Sequence, residues 1–185
     1  MSWSVEMPEL PEVETIRRGL VPLLIKQEIV AVIMRRKNLR WPIPTKELSL
    51  ALPGHTIAEV LRRGKYLLMP IGSGCLIIHL GMSGVLRHHH KNIPFVKHDH
   101  FDIEFKNGSH LRLNDPRRFG AVLWTTDPIQ DHPLLAKLGP EPLEEDFNSD
   151  YLYKKTRGRK GGVKSFLMNS HVVVGAGNIY AAESL

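Results

Sequence analysis

Pro8, set between Met7 and Glu9, is the residue of this chain best suited to act as a nucleophile. In a chain that begins at Pro8, once a methionine is removed, its nitrogen is a secondary amine. An α-amine ionises near pH ~8, below the ~10.4 of a lysine amine, so more of it is neutral and reactive near neutrality. Attack by such an amine on a sugar C1′ gives an iminium ion, a permanent cation that acts as an electron sink. Glu9 follows directly and can donate a proton. Inside a peptide bond the same nitrogen is an amide, with its lone pair delocalised into the carbonyl. Residues Met1 to Glu6, which do not resemble a signal peptide, therefore decide what Pro8 can do. The Pro-Glu pair also suits the first turn of a helix, and the residues alone leave both readings open.

These residues need a scaffold to position them. Leu10, Val13, Ile16, Leu20 and Leu23 recur at helical spacing and predict a helix that anchors the N-terminal segment, with Pro11 in its first turn. Strands are expected at Ile29 to Met34, Thr56 to Leu61, Tyr66 to Ile71 and Cys75 to Leu80. Phe101, Ile103 and Phe105 alternate with charged residues, Asn107-Gly108 turns the chain, and Leu111 and Leu113 resume the alternation, which predicts a hairpin. Ala121 to Thr125 supplies one more strand. After Thr126 the segment to Asp150 is punctuated by Pro, Asp and Glu, and the later apolar positions favour helices. The expected class is α+β, with a β-rich domain over 8–130, a linker over 131–145 and a helical segment over 146–185. Within that segment Val172 to Asn178 reads as a turn containing Gly175 and Gly177, with Asn178 as N-cap of a helix from Ile179.

Composition bounds the function. Of the 185 residues 42% are hydrophobic, enough for a real core, and no apolar run is long enough for a transmembrane span. A net charge of +6 and a pI near 9.5 suit a polyanionic partner. The single cysteine, Cys75, fits a reducing compartment. His88, His89 and His90 are consecutive, and His98 and His100 share one face of an extended strand, but neither spacing gives a four-ligand zinc pattern, so no metal site is expected. No phosphate-cradling glycine loop and no serine nucleophile motif is present.

Motifs recur in order along the chain. After Met7-Pro8-Glu9-Leu10-Pro11-Glu12-Val13-Glu14-Thr15 come Arg63-Gly64-Lys65-Tyr66, His79-Leu80-Gly81-Met82-Ser83-Gly84 and Lys97-His98-Asp99-His100. Asp115-Pro116-Arg117-Arg118-Phe119-Gly120, Leu138-Gly139-Pro140-Glu141-Pro142 and Gly177-Asn178-Ile179-Tyr180-Ala181 follow. Together they resemble the formamidopyrimidine-DNA glycosylase and endonuclease VIII family. The Leu-Pro-Glu-Val-Glu-Thr continuation, Met82 and Phe119 favour the formamidopyrimidine branch. The resemblance implies an N-terminal β-sandwich flanked by helices, followed by a helix–two-turns–helix domain. It implies a bifunctional glycosylase and AP lyase that removes oxidised purines, 8-oxoguanine and formamidopyrimidines, from damaged double-stranded DNA. Such a protein is expected to be a monomer in the bacterial cytoplasm, associated with the nucleoid.

The resemblance also assigns roles. Pro8 is the nucleophile, Glu9 the acid that assists sugar-ring opening, and Lys65 a helper near the scissile phosphate. Glu12 lines the damaged-base pocket. Met82, Arg117 and Phe119 fill the gap left by a flipped nucleotide, and His98, Lys160 and Asn178 contact phosphates. Each has an ordinary alternative: an exposed helix charge for Glu12, an edge-strand lysine for Lys65, a core side chain for Phe119 with Arg117 paired to Asp115, and plain helix capping for Asn178. The run Lys154, Lys155, Arg157, Arg159, Lys160 and Lys164 gives either a DNA-facing band or a solvated face. Family members continue to a four-cysteine zinc finger that carries a DNA-contacting arginine. This sequence, with one cysteine, is expected to lack the finger and its zinc, and to be a C-terminally truncated member with an N-terminal extension over Met1 to Glu6. A DNA-binding remnant without catalysis is the alternative reading.

Overall fold

The structure, a computed structural model, describes residues 8–91 and 93–185; the expected extension and Met7 lie outside them. In chain order the elements are α1 (Leu10–Leu24), β1 (Ile29–Met34), α2 (Thr45–Ala51), β2 (Leu61–Arg63), β3 (Tyr66–Ile71), β4 (Gly74–His79), β5 (Val85–His89), β6 (Asp99–Phe105), β7 (His110–Asn114) and β8 (Ala121–Thr125). A 3-10 turn (Ile129–Asp131) leads to α3 (Ser149–Thr156), α4 (Val163–Leu167) and α5 (Asn178–Glu183). The strands form two antiparallel four-stranded sheets, ordered β1-β6-β7-β5 and β2-β3-β4-β8. The molecule is thus an α+β fold with a sandwich at its centre.

The predicted hairpin is β6-β7. Phe101 pairs with Leu113 and Ile103 with Leu111, so the apolar set of both strands lies on one face. That face meets Leu67, Met69, Leu76 and Ile78 of the other sheet, and Val13, Leu20 and Leu24 of α1 close the core. The second sheet is covered on both faces. Leu68, Cys75 and Ile77 point away from the main core and pack on Leu135. Burial on both sides is why β3 and β4 read as continuous apolar runs rather than as alternation.

Several boundaries differ from expectation. Leu24 rather than Leu23 is the fully buried end of α1. Thr56 to Leu61 is not a strand: Thr56 makes a single bridge to Glu28, and the ladder begins at Leu61. Ile57 and Val60 are buried there, and beyond the bonds of Ile57 to Lys26 and Gln27 their apolar signal comes from side-chain packing and not from a ladder. β4 runs Gly74–His79, and Leu80 belongs to the following turn, where its carbonyl accepts from Gly84 N. The short helix α2 and the strand β5 carried no clear signal. In β5 the consecutive histidines hide an alternation in which Leu86 and His88 pair with the inward-facing Leu113 and Leu111.

A carboxylate ties the sandwich to the later segment. Glu141, buried before α3, accepts from Arg62 Nη1 (2.6 Å), Arg63 Nη1 (2.9 Å) and the backbone N of Gly64 (2.7 Å). These donors hold its carboxyl below the usual carboxylate range against the opposing effect of burial. Arg63 also donates to the carbonyl of Leu138 at 3.1 Å. We expect Glu141→Ala to leave two partly buried guanidinium groups short of an acceptor and to lower the unfolding free energy by about 3 kcal/mol. Chemical denaturation measures this; a loss below about 1 kcal/mol, the range of an exposed ion pair, contradicts the assignment.

Candidate active site

Pro8 and Glu9 precede the first turn of α1, where Pro11 sits without loss of a helical hydrogen bond. Glu9 occupies the N-cap position, yet its side chain reaches outward. Its carboxylate accepts from the backbone N of Gly177 (2.7 Å), Ile179 (2.8 Å) and Tyr180 (3.3 Å), and the residue is only 3% exposed. Glu9 therefore caps α5 from across the molecule. Leu10 N adds a backbone bond to the Gly175 carbonyl at 3.0 Å. The expectation that Asn178 caps this helix is corrected: Gly177 is the N-cap residue and Asn178, exposed, is the first residue of α5. A Cβ at Gly177 would collide with the Glu9 carboxyl, so the acceptor must come from elsewhere in the chain.

Glu12 is exposed on the same helix. Its Oε2 accepts from Glu9 N at 2.9 Å and its Oε1 from the Tyr180 hydroxyl at 3.2 Å. It is thus a bridge between α1 and α5 rather than a lone surface charge. Lys65 lies with Gly64 in the two-residue turn of the β2-β3 hairpin, where Gly64 has φ +55° and packs on Val174. Burial pulls the Lys65 amine below the ordinary lysine value, and the charges of Glu9 and Glu12 pull it back up. Pro8, Glu9, Glu12, Lys65 and the start of α5 are therefore gathered at one junction, made by α1, the β2-β3 turn and residues 172–180.

His79, which sequence reasoning left without a role, stands at the end of β4 near that junction. Its Nδ1 accepts from Gly81 N at 3.0 Å, which leaves the proton on Nε2. Burial, then the charges of Arg40 and Lys65, push its pKa down to about 4.

Met82, Arg117 and Phe119 form a second group. Phe119 is 42% exposed, so the core alternative fails. The Arg117 guanidinium lies 4.9 Å from the Phe119 ring centroid, and Asp115 instead accepts from Ser83 Oγ and Gly120 N, so the alternative of an Arg117–Asp115 pair fails too. His98 joins this group through its backbone: with φ +76°, its carbonyl accepts from Asp115 N at 3.0 Å. The preceding segment is held by Arg112, which donates to the carbonyls of Ile93 and Pro94.

Lys160 stands apart, exposed in the loop between α3 and α4. It lines a cavity of about 430 Å³ together with Thr156, Arg159, Val163, Phe166 and Asn169. Within the basic run, Arg157 lies over Tyr153 at 4.2 Å and Arg159 over Phe166 at 5.2 Å. The cations thus rest on aromatic faces with their charge toward solvent.

No group of three or more His, Cys, Asp or Glu side chains among the described residues is arranged to hold a metal. The one cysteine of the sequence, Cys75, is buried in β4, and burial pushes its thiol up to about 11. No helix among the described residues is long and apolar enough to cross a membrane.

Comparison with known proteins agrees with this geometry. Residues 7–122 match the family described as formamidopyrimidine-DNA glycosylase N-terminal domain, and residues 138–185 match its H2TH domain. The chain is 55% identical over 179 residues to the formamidopyrimidine-DNA glycosylase of Thioalkalivibrio sulfidiphilus and 56% identical to that of Syntrophotalea carbinolica. In each case 97% of this chain is covered but only 66% of the relative, so the chain spans just under two thirds of their length. Among solved structures, a Lactococcus lactis formamidopyrimidine DNA glycosylase bound non-covalently to DNA with an AP site superposes with a TM-score of 0.87 at 37% identity, covering 95% of this chain and 67% of that one. A MutM in complex with DNA containing carbocyclic 8-oxo-G gives the same TM-score, identity and coverage.

The depressed His79 pKa carries a sign. The unfolded ring takes up a proton near pH 6.5 and the folded ring only near 4, so the unfolded state binds more protons in that window. The stabilisation is complete above pH 6.5 and is lost as pH falls toward 4. Replacing His79 with Gln should therefore reduce the loss of stability between pH 7.5 and 5.0 by roughly 2 kcal/mol, measured by urea unfolding at both pH values. An unchanged difference contradicts the burial of a neutral ring.

Proposed function

The chain belongs to the formamidopyrimidine-DNA glycosylase family, and from that premise we propose that it acts on damaged double-stranded DNA, releasing oxidised purines and then cutting the strand at the abasic site. The Pro8 nitrogen, as a free amine, attacks C1′ of a flipped nucleotide, and the bond from C1′ to the base breaks. Glu9 lies one residue away and supplies the proton that opens the sugar ring. The resulting iminium draws electrons from the C2′–H bond, and loss of that proton expels the 3′ phosphate by β-elimination. Lys65 serves the phosphate side of the reaction, and Glu12 the pocket of the displaced base. Met82, Arg117 and Phe119 fill the space the nucleotide leaves, which offsets part of the few kcal/mol lost on unstacking. His98, Lys160 and Asn178 hold phosphates. By this reading the protein works in the bacterial cytoplasm, on the nucleoid.

The seating of Glu9 is the observation that carries this reading. A carboxylate held by three backbone N–H groups has its position set by backbone, and Pro8 is joined to it directly. The half-buried Lys65 amine beside the same carboxylates supports a site where charge and proton transfer matter. In the 185-residue sequence Pro8 follows Met7, so its nitrogen is an amide. The chemistry therefore belongs to a form whose chain begins at Pro8. DNA binding without catalysis is the second reading, and it holds for any form in which the Met7–Pro8 bond is intact.

Borohydride trapping on DNA with an abasic site separates the two. A form beginning at Pro8 should give a covalent complex, and the form carrying residues 1–7 should give none. Trapping by the longer form, with its mass confirmed intact, excludes Pro8 and points to a lysine such as Lys65. Trapping by neither form favours binding alone.

A further inference from the structure

The loops that carry Met82 and Phe119 are built as one unit. The first closes on itself through Gly84 N and the Leu80 carbonyl (2.8 Å). Its Gly81, at φ +63°, lies so close to the backbone of Phe119 and Gly120 that no Cβ fits. The second loop is organised by Asp115, which is fully buried. Asp115 Oδ2 accepts from Gly120 N at 2.8 Å, its carbonyl accepts from Arg118 N at 3.3 Å, and the His100 ring nitrogen Nε2 is 2.9 Å from that carbonyl. Arg118 takes the left-handed conformation, φ +58°, which turns the chain so that Arg117 and Phe119 lie on the outside.

One side chain joins the two loops. Ser83 Oγ donates to Asp115 Oδ1 at 2.6 Å and accepts from Arg117 N at 3.1 Å. Ser83 is the residue after Met82, and Arg117 is one of the pair that stacks at the loop tip. A hydroxyl can donate once while accepting, and here both capacities are used across the gap between loops.

We propose that Ser83 is the positioning residue of the DNA wedge: its hydroxyl sets Met82 in register with Arg117 and Phe119, so that the three side chains enter the stack together. This rests on the wedge reading above and deepens it. Ser83 touches no reacting atom; it acts through the loop that Arg117 and Phe119 occupy. Insertion has to happen only where bases are stacked. Loss of the hydroxyl should therefore weaken binding to a stacked duplex and leave a flexible single strand unaffected.

The test is the affinity of the full chain for a duplex bearing a tetrahydrofuran abasic analogue and for the same strand alone. It compares Ser83→Ala, Ser83→Thr, Phe119→Ala and the Ser83→Ala/Phe119→Ala double variant, with melting temperatures recorded for each. Ser83→Ala should bind the duplex about tenfold more weakly, the scale of two lost hydrogen bonds, and bind the single strand within about twofold of the parent. Ser83→Thr, which keeps the hydroxyl, should recover the duplex affinity to within about threefold, and the double variant should be no weaker than Phe119→Ala alone. Equal losses on both substrates, no recovery by Ser83→Thr, or losses that multiply in the double variant overturn the coupling. A Phe119→Ala variant that treats duplex and single strand alike, or a parent chain that binds neither, overturns the wedge reading itself and the coupling with it.

Discussion

The bond between the Glu9 carboxylate and the start of α5 is the constraint on which the candidate site depends. A six-residue helix cannot hold itself together in water, since the cost of its first turn is repaid by few internal bonds. Its N-terminal N–H groups need an acceptor, and no cap side chain in its own sequence provides one. Glu9 meets three of them and brings negative charge to the positive end of the helix dipole. Hydrogen bonds to charged groups contribute about 1.5–3 kcal/mol each, so this contact outweighs any local preference of residues 175–180. The same contact sets the direction in which Pro8 leaves α1. A stability element and the seat of the candidate nucleophile are therefore one structure.

Glu141 plays the corresponding part for Lys65. Its carboxylate holds the N–H of Gly64 and two arginines, which fixes the tight turn that presents the lysine. Val174 N donates to the Pro140 carbonyl, and Gly64 packs on Val174, so the turn and the start of α5 share neighbours. Asp115 repeats the device at the loops that carry Met82 and Phe119, where it gathers a hydroxyl and a backbone N–H. In all three places a buried acid takes at least one backbone N–H, and at Glu9 all three donors are backbone groups. Such an arrangement is rigid because a buried carboxylate that loses its donors has no water to replace them.

Much of this was legible in the residues. Alternation at Phe101, Ile103 and Phe105 around Asn107-Gly108 located the β6-β7 hairpin, and helical spacing located α1. The ordered motifs brought Pro8, Glu9 and Lys65 into one hypothesis before any geometry, and the structure places them at one junction. What was missed is long-range. Glu9 and Gly177 are far apart in sequence, so the residues of α5 alone pointed to Asn178 as the cap. Glu141 and Ser83 lay inside motifs without a role, because their partners Gly64, Arg117 and Asp115 are brought to them only by the sheets. Thr56 to Leu61 was misread because the buried Ile57 and Val60, three residues apart, give it an apolar signal while its backbone pairing stops at residues 56 and 57.

Native-state hydrogen exchange of the α5 N-terminus tests the central constraint most directly. The amides of Gly177, Ile179 and Tyr180 should be protected in the parent chain, and in Glu9→Ala they should exchange far faster while the Leu67 and Ile77 amides of the second sheet stay protected. Exchange of the three amides at solvent-like rates in the parent, or protection that survives Glu9→Ala, would contradict the account.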